Sequence, residues 1–136
     1  MPRRAPGEIR SQLHQRDTRH HRRTVIKGLS ASTNRQIGDF ERQRGLPKGD
    51  IALAFQRWSS RARRSRNAEE WRYGYADVPT GHIRSLLEQA LRNLRPKARR
   101  ELRTALEPID ALVLGRTVND PFAFPWHPWW LRRFEI

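Results

Sequence analysis

Residues 80–115 read TGHIRSLLEQALRNLRPKARRELRTALEPIDALVLG, and their periodicity decides the fold class. Ile83, Leu86, Leu87, Ala90, Leu91 and Leu94 fall on one helical face. Arg84, Glu88, Arg92 and Arg95 take the other side, with Glu88 and Arg92 at the i, i+4 spacing of a favourable pair. Thr80 is the expected cap. Pro96 opens a second helix, where its missing N–H removes a donor that would have no helical partner anyway. Ala98, Leu102, Ala105 and Leu106 give that helix its apolar stripe. Pro108 either kinks it or starts a further helix carrying Ile109, Leu112 and Val113, and Gly115 is the expected stop. Two amphipathic helices joined this tightly predict an antiparallel hairpin.

A second helical pair precedes it. Ser32, Thr33 or Asn34 can cap a helix carrying Ile37, Phe40 and, at its end, Leu46. The glycines and proline of Gly45-Leu46-Pro47-Lys48-Gly49 break it. Asp50 is the expected cap of a longer helix, in which Ile51, Phe55, Trp58 and Ala62 share one face. Arg57, Arg61 and Arg64 form a stripe about a third of a turn away, widened by Arg63 and Arg66. Beyond it, Trp71, Tyr73 and Tyr75 alternate around Arg72, next to Gly74 and Pro79, which favour a loop or short edge strand. Their interleaving fits a base-stacking strip, but aromatic residues beside a small core more often cap that core.

The fold expected is therefore all-α. A small helical domain, a helical pair plus an αα-hairpin, occupies residues 31–120. A basic flexible arm precedes it at 1–30, and an aromatic, proline-rich tail follows at 121–136.

Charge narrows the function. The 136 residues hold 28 Lys and Arg against 14 Asp and Glu, a net +14, and only Lys27, Lys48 and Lys97 are lysines. Such an excess repels itself in a compact chain, and its usual counterpart is a polyanion. Genomic codon bias accounts for some of the preference for Arg over Lys, but not for the net charge. The arm is the most basic part, with Arg16, Arg19, Arg22, Arg23 and Lys27 in its second half. Flexible basic arms meet phosphates through counterion release and need no fixed geometry. Arg57, Arg61 and Arg64 are the second candidate set. Residues 33–66 also have the outline of a helix–turn–helix, although the turn is longer than usual and contains proline. The expected partner is nucleic acid, DNA or RNA, and the expected protein is non-catalytic.

The tail supports an alternative. Six of the twelve aromatic residues lie between Phe122 and Phe134. Trp126, Trp129, Trp130 and Phe134 together carry several hundred Å² of apolar surface, at roughly 150–250 Å² each. They either fold back over the helices or dock on a protein partner, as in an interaction module of a larger assembly. Arg132 and Arg133 beside the tryptophans also suit a membrane interface, but one turn is too short to anchor well.

Other chemistries lack support. The absence of Cys excludes disulfides, thiol nucleophiles and Cys-ligated zinc. His14, His20, His21, His82 and His127 form no ligand spacing, so no metal and no cofactor are expected. No GxSxG, HExxH or glycine-rich phosphate loop is present. Asp50, Glu69, Glu70 and Asp77 are acids without a constellation. No secretory signal or span of ~20 apolar residues is seen, which makes a cytoplasmic protein the default.

Overall fold

The computed structural model describes residues 24–63 and 80–135. Four helices form its body: α1 (Ala31–Gln43), α2 (Asp50–Arg63), α3 (Thr80–Asn93) and α4 (Pro96–Arg116). A two-stranded antiparallel ribbon follows, β1 (Thr117–Asn119) with β2 (Arg133–Glu135), in the register Val118 opposite Phe134. A single 3-10 turn, Trp129–Leu131, precedes β2. Among the described residues no helix is long and apolar enough to cross a membrane.

The two helical pairs expected from the sequence are not the pairs that pack most closely. α2 is the central element and meets α3 and α4 more extensively than those two meet each other. Its buried face explains this. Ala52, Ala54 and Ala62 are small enough to let neighbouring backbones approach, while Ile51 and Trp58 fill the space between them. Trp58 is 0% exposed. Around it gather Ile37 and Phe40 of α1, Ile83, Leu87, Ala90 and Leu91 of α3, and Leu102, Leu106, Ile109 and Val113 of α4. Most of the apolar positions expected from periodicity are buried. Leu46, Phe55, Leu86 and Ala105 are half-buried, and Leu112 stands exposed.

The helix ends follow chemistry that spacing alone does not specify. Ser30, not a later residue, caps α1: its hydroxyl accepts from the Thr33 N–H. Thr33 and Asn34 are taken by other partners. Asn34 accepts from the Ile26 N–H at 3.0 Å and donates to the Ile26 carbonyl at 3.2 Å. This amide clamp draws Ile26 into the core. Residues 24–30, assigned to the arm by composition, thus lie against the helices. α1 ends in a Schellman motif: the Leu46 N–H reaches the Glu41 carbonyl, the Gly45 N–H that of Arg42, and Gly45 has φ +66°. Gly49, at φ +88°, closes the turn in a backbone conformation that strains other residues, with Thr24 Cα only 3.1 Å from where a Cβ would stand.

Two helices receive a carboxylate from another part of the fold. Asp50 is the first residue of α2, but the group that satisfies its N-terminus is Glu41, whose buried carboxylate accepts from the Ile51 N–H at 2.9 Å. Glu101 of α4 accepts from the Ser30 N–H at 2.9 Å, the Ser30 hydroxyl at 3.1 Å and the Thr33 hydroxyl at 2.5 Å. α1 has no acid in its own first turn, so Glu101 supplies the charge its N-terminus favours.

The Thr33 hydroxyl, then the Ser30 backbone, hold the Glu101 carboxyl below the ordinary glutamate range. A carboxylate with a depressed folded value contributes stability above its unfolded value, and loses it as pH falls through the folded one. Glu101→Gln is therefore expected to melt below the unsubstituted protein at neutral pH. The gap should narrow as pH falls below about 4, the ordinary carboxylate range. Thermal melts at several pH values check this; a gap independent of pH removes the charged cap.

Pro96 stands at the first position of α4, as expected, and Arg95 precedes it. Pro108 neither starts a new helix nor ends this one: α4 runs 21 residues through it, carried by Ile109 and Val113 in the core. Gly115 lies within the helix, which ends at Thr117 in extended conformation.

Candidate polyanion-binding surface

Among the described residues several acidic side chains are engaged by other groups, while Glu107 is exposed. Glu41 and Glu101 cap helices, Asp39 pairs with Arg42, and Asp120 accepts from the Phe122 N–H. Asp110 and Glu88 are held by Arg84. Arg84 is 5% exposed, against the expectation that its side of α3 faces solvent. Its Nε and Nη2 both donate to Asp110 at 3.0 Å, and Nη1 donates to Glu88 at 3.0 Å. The Trp58 indole N–H donates to the same Asp110 carboxylate at 2.8 Å. Glu88 meets its expected partner Arg92 only at 3.9 Å. A buried guanidinium is tolerable only with partners this complete.

Some further arginines are also structural. Arg99 donates to the Leu91 and Leu94 carbonyls and so caps the C-terminus of α3. Arg133 does the same for α4 through the carbonyls of Leu114 and Thr117. Arg61 lies 5.4 Å from the Trp58 ring centre, half-buried.

Four of the exposed cations border two clefts. One, of about 570 Å³, lies between the 27–29 turn and α4, with Lys27, Lys97, Arg100 and Thr104 on its walls. Glu101 also lines it, with its carboxylate engaged by Ser30 and Thr33. The other, of about 770 Å³, lies between residues 25–27 and α2 and carries Gln56, Ser59, Ser60 and Arg63. Lys27 lines both, so the clefts adjoin. Lys97 and Arg100 sit at the start of α4, which has no acid in its first turn. Cations at a helix N-terminus work against the macrodipole, and a bound anion relieves both their repulsion and the dipole.

The expected site residues separate. Lys27 and Arg57 are exposed, and Lys27 lies between the two clefts. Arg61 rests on Trp58, so the stripe of α2 is partly committed to packing. Arg16, Arg19, Arg22, Arg23 and Arg64 lie outside the described residues, as do Trp71, Tyr73 and Tyr75. The sequence singles out neither Lys97 nor Arg100. Their position opposite Ala98 and Leu102 on the helical wheel marks them as solvent-facing, but proximity to Lys27 is a tertiary fact.

The tail divides in the same way. Trp129 and Trp130 pack against the core, while Trp126 is 72% exposed. Trp130 places its ring 4.6 Å from the Arg84 guanidinium and donates its N–H to Ser85 at 2.9 Å. A side chain at Gly81 would collide with Leu131, so the tail lies directly on the start of α3. Phe134 lies in β2, paired with Val118. Among the described residues no His, Asp and Glu side chains gather as metal ligands. Comparison with protein-family models, curated proteins and solved structures returned no match.

Proposed function

We propose that this protein binds nucleic acid through the phosphate backbone, without catalysis. The observation that supports the reading is the clustering of charge: Lys27, Arg63, Lys97 and Arg100 stand exposed around adjoining clefts, while Glu41, Glu88, Glu101 and Asp110 are engaged by partners within the fold. Cations gathered along a cleft raise the local positive potential there. In the sequence the basic run from Arg16 to Arg23 ends four residues before Lys27. Cations on two elements and an adjoining arm can follow a backbone without reading base edges, which suits either DNA or RNA.

Binding through phosphates releases counterions, so its affinity falls steeply with salt. Anisotropy titrations of labelled 20-nucleotide oligomers at about 50 and 200 mM salt test this. A protein making 6–10 phosphate contacts loses roughly 10³–10⁵ in affinity over that range. The Lys97→Ser/Arg100→Ser variant is expected to reduce the slope of log K against log salt by about 1–2. Affinity unchanged across the range overturns the reading.

A further inference from the structure

We propose that the loop from Asp120 to Pro128 is a preformed stacking platform for unpaired nucleobases. The inference rests on the nucleic-acid reading above and adds a preference for single strands to it.

The loop is built rather than slack. The Asp120 N–H donates to the Arg132 carbonyl at 2.7 Å and closes its base. The Asp120 carboxylate accepts from the Phe122 N–H at 2.9 Å, and its carbonyl from the Ala123 N–H at 3.2 Å. A second turn closes between Phe124 and His127, with Pro125 at its first central position. Pro121, Pro125 and Pro128 fix their own φ angles. Little conformational freedom is then left to lose when a ligand binds.

The loop holds its rings in a stacking geometry. Phe124 and Trp126 lie nearly parallel, 17° apart with centroids at 4.6 Å. His127 stands edge-on to both, at 5.4 and 6.2 Å. Phe124 covers one face of Trp126, yet Trp126 remains 72% exposed. Phe124 is 55% and Phe122 93% exposed. The neighbouring Trp129 and Trp130 reach the core, so these rings are outside despite a well-anchored base.

Three observations favour a base as the occupant over a protein groove or a lipid surface. A flat ligand extends a parallel ring pair, whereas a groove takes up single protruding side chains. The segment 121–134 contains no acid and carries Arg132 and Arg133 at its base. The charged surface of the rest of the molecule complements a phosphate chain. Base–aromatic stacking tolerates any sequence, as does phosphate contact, so the two modes cooperate along one strand.

The test uses the full chain, unsubstituted and as Trp126→Ala, with labelled dT20, a 20-base-pair duplex of mixed sequence, and mixed phosphatidylcholine–phosphatidylglycerol vesicles. Circular dichroism and melts confirm that both proteins are equally folded. Trp126→Ala is expected to weaken dT20 binding roughly 5- to 100-fold. It should leave duplex affinity and the salt slope for both nucleic acids unchanged. Equal losses on dT20 and duplex, or no loss on dT20, overturn the platform while leaving phosphate binding standing. A loss confined to vesicles also overturns it and assigns the loop to a membrane surface. If neither nucleic acid binds at low salt, the nucleic-acid reading fails and the platform with it.

Discussion

Asp110→Ala is expected to destabilise the protein by about 3–5 kcal/mol, the usual loss when one member of a buried ion pair is removed. For a domain of this size the melting temperature falls on the order of 20 °C. The magnitude comes from what is left behind. Arg84 keeps one carboxylate, Glu88, and two of its donors lose the partner they share. The buried Trp58 indole N–H loses its acceptor as well. The paired replacement Arg84→Met with Asp110→Leu removes both charges together and is expected to be milder than Asp110→Ala alone. Melts of the single and double variants separate these cases. An Asp110→Ala protein that melts within a few degrees of the unsubstituted chain would sink the assignment.

Deletion of residues 121–136 is expected to abolish the cooperative melt or lower it by tens of degrees. Trp129 and Trp130 are half-buried against the core. Taken together they remove about 200 Å² of aromatic surface from water, or roughly 5 kcal/mol. The ring over Arg84 and the Arg133 cap on α4 are lost with them. The sum approaches the ~5–15 kcal/mol that holds a typical domain together. Trp126→Ala, by contrast, is expected to change stability by no more than about 0.5 kcal/mol, because exposed substitutions away from packing cost little. Differential calorimetry of both proteins checks the contrast. A truncated chain that keeps its melt returns Trp129 and Trp130 to the role of a docking peptide.

The two variants divide a tail whose composition is uniform. Trp126, Trp129 and Trp130 are chemically alike and nearly adjacent, and nothing in their spacing says which face inward. Pro128 and the 3-10 turn that follows it rotate the last two toward α3, where Gly81 leaves room. The loop before them is closed by hydrogen bonds that Asp120 donates to Arg132 and accepts from Phe122 and Ala123, with Phe124 and Trp126 exposed. The short β ribbon that joins the tail to α4 is equally hidden, because its strands are three residues each and their pairing spans a loop.

The candidate site was legible in sign and only partly in place. Lys27 and Arg57 are exposed as expected, but Arg61 covers Trp58, and Arg84, placed among solvent-facing charges, is buried. Periodicity sees one face of α3 as apolar and the other as polar. It does not see that α4 and the tail also cover part of the polar face, with Asp110 and Trp130 arriving to meet the guanidinium.

What this sequence determined by itself is the all-α class, the identity of the main helices and most of the core. Those follow from side chains a few residues apart, whose directions the helix geometry sets locally. Tertiary structure alone decided which charges are internal, which cap borrowed a carboxylate from another helix, and which tryptophans face out. Each of those depends on a partner far along the chain: Glu101 for Ser30, Asp110 for Trp58, Ser85 for Trp130. A buried polar group is stable only once that partner is in reach, and no local pattern records the distance.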